Sequence, residues 1–175
     1  QGREPPHEAR RQMKIETLTK AGFAPFGEVI EIDGAQHFPI NQGFAERFND
    51  LASVDAETVN ISIVVARPRP RPIAITLMER HPLGSQIFYP LQDRPWLVVV
   101  CGNPKDRASF RAFSATGRQG INYARNTWHH PLLVLEAESR FLVVDRKGPG
   151  TNLEEAAIDE TRLDLLEIFG SITKN

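Results

Sequence analysis

Thirteen prolines and 12 glycines cut this 175-residue chain into short extended runs. The runs are Gly27–Ile32, Val59–Ala66, Ile73–His81, Ser85–Tyr89, Trp96–Cys101, Phe110–Phe113, Pro131–Glu136 and Phe141–Asp145. Segments of this length, rich in β-branched residues and bounded by turn residues, read as strands. Helical patterns do not alternate with them, which disfavours a doubly wound parallel sheet. Many short strands hide their edges best in a closed or sandwich-like antiparallel barrel.

The remaining segments refine this outline. Arg67-Pro-Arg-Pro-Arg-Pro72 lacks three amide protons, so it predicts an extended surface connection rather than a central strand. Thr17–Ala21 predicts a short helix capped by Thr17 or Thr19 and ended by Gly22. After Gly148-Pro-Gly150, a C-terminal helix is expected. Asn152 would cap it, Glu154 and Glu155 would sit at its positive end, and Ile158, Leu163, Leu165, Leu166 and Phe169 would supply apolar positions. Residues 1–12 are polar with adjacent prolines and predict a flexible extension, leaving a single catalytic domain over 13–175.

Composition narrows the partners. Twenty-one basic against 22 acidic side chains leave a net charge of -1, so no broad basic field exists to attract nucleic acid. No apolar run approaches the ~20 residues that span a bilayer, so a membrane is not an expected partner. The single cysteine, Cys101, rules out an intramolecular disulfide or a cysteine zinc cluster. It suits a reducing compartment, and a cytoplasmic location is expected.

Two clusters can carry chemistry. In Ile73–His81 the two-residue period places Ile73, Ile75, Leu77, Glu79 and His81 on one face, so an apolar stripe ends in a carboxylate and an imidazole, with Arg80 opposite. Gln86 follows a turn containing Gly84 and can return toward them. The second cluster is Gly120-Ile-Asn-Tyr-Ala-Arg-Asn-Thr-Trp-His129-His130. Adjacent histidines on extended chain point to opposite faces, so at most one of them enters a given interior pocket and His130 is expected to face outward.

The spacing of Glu79, His81 and Gln86, followed by Asn126 three residues before His129, resembles the paired motifs of a cupin barrel. That resemblance implies a mainly β, double-stranded β-helix (jelly-roll) fold. Glu79 and Gln86 stand where that pattern has a histidine and a glutamate. No cofactor is implied by this set, although Glu79, His81 and His129 are able to form a facial triad for a divalent metal. Three strings, ERHPLGSQ from Glu79, NYARNTWHHPL from Asn122 and FLVVDRKGPGTN from Phe141, are similar to the ureidoglycolate lyase family. The resemblance runs from Met13 to about Glu160. It implies a homodimer that splits ureidoglycolate into glyoxylate and urea in allantoin breakdown. His129 or His81 would be the base, and Glu79 would orient a histidine or act as the acid. A guanidinium suits the substrate carboxylate. Arg67 ranks first, ahead of Arg80 and Arg125. Ser85, Gln86, Tyr123 and Asn126 are candidates to bind the urea group, with Trp128 as a pocket wall. The competing readings are a metal-dependent cupin oxygenase or isomerase, and a barrel that binds a small ligand without turnover.

Overall fold

A computed structural model describes residues 12–165 of the chain. Fifteen strands fall in chain order within those residues. They are β1 (Gln12–Met13), β2 (Ile15–Thr17), β3 (Gly27–Ile30), β4 (His37–Ile40), β5 (Ala45–Phe48), β6 (Val59–Ala66), β7 (Ala74–Arg80), β8 (Gln86–Pro90), β9 (Trp96–Cys101), β10 (Phe110–Ala115), β11 (Gly120–Tyr123), β12 (Trp128–His129), β13 (Leu133–Val134), β14 (Ser139–Arg146) and β15 (Glu154–Leu163). The fold is mainly β, as the punctuated runs predict. One sheet takes the order β1-β15-β7-β12-β9-β10-β2, with β13 also on β9. A second takes the order β3-β11-β8-β14-β6, and β4 with β5 forms a separate hairpin.

The two large sheets close on each other around a first core. Trp96, Val98 and Val100 of β9 meet Phe88, Ile121, Tyr123, Phe141 and Val143 of the second sheet there. The alternate residues of β9, Leu97, Val99 and Cys101, enter a second core with Ile73, Ile75, Met78 and Leu133. The first sheet is thus buried on both faces, which is why all six residues of β9 are buried and why its sequence is an unbroken apolar run. Trp96 anchors the first core. Its indole N–H donates to the carbonyls of Thr116 (3.2 Å) and Gln119 (3.1 Å), and its ring meets Phe141 edge-on at 5.0 Å.

Local chemistry sets the element ends. The single α-helix among the described residues, α1 (Lys20–Phe23), begins where Thr19 Oγ1 accepts from the Gly22 amide at 3.0 Å. Gly22 lies inside that turn rather than ending it. Gly27 has φ +153°, and a Cβ there would run into the Asn122 carbonyl oxygen, so only glycine lets β3 lie against β11.

Three expectations need correction. The segment from Glu154 is a strand of ten residues, antiparallel to β7, not a helix. Residues 154–157 and then 161–162 pair with β7 there, and this non-local pairing overrides the local helix-cap signals. Leu166 and Phe169, assigned to the same helix, lie outside the described residues. Gln12, placed in the extension, pairs with Arg162 as part of β1, while residues 1–11 lie outside the described residues. The face of β7 is not continuous either. Ile75 and Met78 share one core although their numbers have opposite parity, and the β7–β15 register shifts beside this stretch, between Ala157 and Thr161.

Candidate functional site

Register brings the two predicted clusters together. β12 lies between β7 and β9, and His129 pairs directly with Glu79. Directly opposed residues project to the same face, here the one that looks into the first core. His129 Nε2 lies 3.5 Å from Glu79 Oε1. His81, just past the end of β7, sets its ring 5.2 Å from that of His129 at a 42° tilt. A histidine Nε2 or Nδ1 from each ring and a carboxylate oxygen of Glu79 all lie within 4.8 Å of one another.

Main-chain carbonyls set both imidazoles. His81 Nδ1 lies 2.8 Å from the Asn152 carbonyl, and His129 Nδ1 lies 2.9 Å from the Thr127 carbonyl. A carbonyl only accepts, so each Nδ1 carries the proton that is donated to it. In the neutral ring the lone pair then sits on Nε2. Both Nε2 atoms are buried and have no hydrogen-bond partner. Two unsatisfied acceptors side by side in a protein interior call for an explanation, and a bound ligand supplies one.

Electrostatics separate the roles. Burial alone raises the pKa of Glu79. The pull of the neighbouring imidazoles, His129 at 3.5 Å foremost and then His81 and His130, outweighs burial and holds the carboxyl below its usual range. Glu79 is therefore ionised at neutral pH. His130 is buried, not outward in solvent. Burial pushes its pKa down to about 4 against the pull of its bond to the Pro131 carbonyl, so it stays neutral. Tyr123 stacks on His129 with ring centroids 4.0 Å apart and planes at 12°. Burial first, and the Glu79 charge second, raise its phenol pKa, so it stays protonated.

The other predicted residues divide. Gln86 pairs with Tyr123 across β8 and β11 and so faces the same interior. Asn126 has φ +65°, which fits the glycine position of the motif, and its amide donates to the His81 carbonyl at 3.0 Å. It links the two loops, and its side chain is exposed. Ser85 is buried, but its hydroxyl accepts from the Asp55 amide at 2.8 Å and so pins a loop. Trp128 turns to the opposite face from His129, where the Arg80 guanidinium lies 4.6 Å over its ring, so it walls no part of the imidazole site.

The arginines are engaged elsewhere. Arg67 is 78% exposed and pairs with Glu138 at 3.2 Å. It follows the end of β6 that pairs with Ser139, whereas the site lies toward the other end, where Asn60 pairs with Asp145. Arg80 binds Glu154 on the outer face, and Arg125 makes a two-pronged contact to Asp55 at 2.8 and 2.9 Å.

The sequence reading passed over three contributors. Asp145, which closes the run Phe141–Asp145, bonds Gln86 and Asn60. Its parity with Phe141 and Val143 already marks it as core-facing. Asn152, read as a helix cap, holds His81 through its carbonyl and accepts from the Leu83 amide through its side-chain oxygen at 2.8 Å. Thr127 holds His129 through its backbone, which no side-chain pattern announces.

The chain is similar to known proteins over most of its length. A family described as Ureidoglycolate lyase matches residues 10–164. "Ureidoglycolate lyase 1" of Rhizobium meliloti (strain 1021) is 56% identical over 153 residues, covering 85% of this chain and 90% of the relative. The ureidoglycolate lyase of Burkholderia mallei (strain NCTC 10229) is 47% identical over 156 residues, covering 86% of this chain and 92% of the relative. Among solved structures, a Bacillus subtilis oxalate decarboxylase is similar at a TM-score of 0.40 and 13% identity, over 57% of this chain and 24% of that one.

Proposed function

The chain belongs to the ureidoglycolate lyase family, and on that footing we propose that it splits ureidoglycolate into glyoxylate and urea in allantoin breakdown. The reacting carbon of this substrate bears a hydroxyl, a carboxylate and a urea nitrogen. Elimination removes the hydroxyl proton, turns the C–O bond into a carbonyl and breaks the C–N bond. The electron pair of that bond stays on the departing nitrogen, which takes a proton. No electrons leave the substrate, so the demand on the protein is acid–base.

One observation carries the reading: two imidazoles whose Nδ1 protons are fixed by carbonyls and whose Nε2 atoms are bare, beside an ionised carboxylate. His129 Nε2 takes the hydroxyl proton. Glu79, 3.5 Å away, stabilises the imidazolium that results. The proton returns to the urea nitrogen from the His81–His129 pair. Because Glu79 is ionised, it serves as the charge partner of a histidine rather than as the acid. Tyr123 holds the His129 ring plane, and Gln86 binds the urea group.

Glyoxylate release from the wild type, Glu79→Gln, His129→Asn and His81→Asn tests this. Each variant should lose about 10²–10⁴-fold in rate while keeping the wild-type circular dichroism spectrum. Full rate in both the Glu79 and His129 variants overturns the site. Binding of glyoxylate by the wild type without turnover would make the chain a ligand sensor.

A second reading rests on the donor set itself. Two imidazole nitrogens and a carboxylate oxygen within 4.8 Å suit a divalent cation. His81, His129 and Glu79 would hold it, and it would supply Lewis-acid polarisation of a substrate oxygen. Exhaustive chelation separates the two readings: activity persists under the first and vanishes under the second.

We further propose a cytoplasmic homodimer. Val59, Ile61, Ile63 and Val65 project outward from β6 and are 44%, 69%, 53% and 44% exposed. β6 is an edge of its sheet, and Leu142 and Val144 continue the apolar strip on β14. A second copy of the chain seated there would cover both the apolar surface and the free strand edge. The lone, buried Cys101 suits a reducing compartment.

A further inference from the structure

Four side chains lie in one row across the inner face of the second sheet. Asn60 pairs with Asp145 across β6 and β14. The β14–β8 register pairs Val144 with Ile87, which brings Asp145 beside Gln86 on the next pair, and Gln86 pairs with Tyr123. The row therefore ends at the ring that stacks on His129.

The hydrogen bonds along it converge on Asp145 from both sides. Asp145 Oδ1 accepts from Asn60 Nδ2 at 3.2 Å, and Asp145 Oδ2 accepts from Gln86 Nε2 at 3.3 Å. A carboxylate accepts and does not donate, so the nitrogen of the Gln86 amide must face Asp145. The amide oxygen is then turned away from it. That oxygen, Gln86 Oε1, is buried and has no partner. A buried acceptor left empty is destabilising, a cost that a ligand donor would remove.

We propose that Asp145, steadied by Asn60, is a positioning residue that locks the Gln86 amide with its oxygen toward the site, and that this oxygen reads the N–H donors of a ureido group. This rests on the lyase reading above. It explains selectivity for substrates that bring an N–H, because an analogue without one leaves the Gln86 oxygen unpaired. It also assigns a role to a carboxylate that touches no substrate.

Two unreactive or product ligands test it: oxalurate, which keeps both the carboxylate and the ureido group, and glyoxylate, which has no N–H. Calorimetric titration of each against the wild type, Gln86→Met and Asp145→Asn gives the discrimination ratio. Met keeps the length of Gln86 without its amide. Asn at position 145 is isosteric but offers Gln86 a donor as well as an acceptor, which unlocks the flip. Gln86→Met should weaken oxalurate about tenfold to a hundredfold, and Asp145→Asn about threefold to tenfold, with glyoxylate moving less than twofold in both. If Asp145→Asn does not fold, Asn60→Ala removes the donor that steadies Asp145 and should shift oxalurate in the same direction. Equal weakening of both ligands, or no change in either, overturns the proposal. If the wild type releases no glyoxylate from ureidoglycolate, the lyase reading itself falls. A wild type that does so while the ratio stays fixed sinks only the role of Asp145.

Discussion

Two strands of similar composition meet opposite fates in this fold. Trp96–Cys101 and Val59–Ala66 both read as strands rich in β-branched residues, yet every residue of β9 is buried while the outward apolar residues of β6 are open. The difference lies in sheet position, not in the strands. β9 is central in a sheet covered on both faces, and β6 is an edge whose outer face no described element covers. An apolar run therefore reports that burial is wanted and leaves open whether this chain or another copy provides it.

Matched substitutions can break or sharpen that contrast. The largest effect is expected from Trp96→Ala, which removes the first-core anchor and should cost about 3–5 kcal/mol in urea denaturation. Ile75→Ala, at a position with 0% exposure, should cost about 2–5 kcal/mol. The same chemical change at Ile61, 69% exposed, should leave monomer stability within about 0.5 kcal/mol. If Ile61→Ala costs as much as Ile75→Ala at protein concentrations where the chain is monomeric, the outer face is covered from within and the contrast fails. Ile61→Lys should weaken self-association about tenfold or more by sedimentation equilibrium, from a buried unpaired charge at the interface. The smallest effect is on β9 itself. Burial pushes the Cys101 thiol up to about 12, so native protein at pH 8 should remain unalkylated by iodoacetamide over hours in a mass-spectrometric time course. Rapid labelling would mean that β9 opens readily.

The same contrast explains what could be read in advance. Parity along β7 joined Glu79 to His81 and set Arg80 apart, and the loop ending at His129 supplied the second imidazole. All of these depend on local spacing, and they hold. Parity also puts Trp128 opposite His129, a consequence the pocket-wall expectation left unused. Arg67 follows the run Val59–Ala66 and ranked first for the carboxylate, but which end of β6 borders the site depends on an antiparallel pairing with residues about 80 positions later. The strand from Glu154 illustrates the same limit. Its cap and apolar spacing satisfy a helix, and only the ladder to β7 decides against it. Asp145 needed Asn60, 85 residues away, before its carboxylate had a purpose.

Both imidazoles owe their protonation pattern to peptide oxygens, those of Thr127 and Asn152. No side-chain replacement deletes such an oxygen, so ordinary sequence drift around the site cannot switch the tautomers one residue at a time. Only remodelling the loops that carry those peptides can. A designer retargeting the barrel to other carbinolamides could treat the two rings as fixed datum points and randomise the surrounding side chains freely.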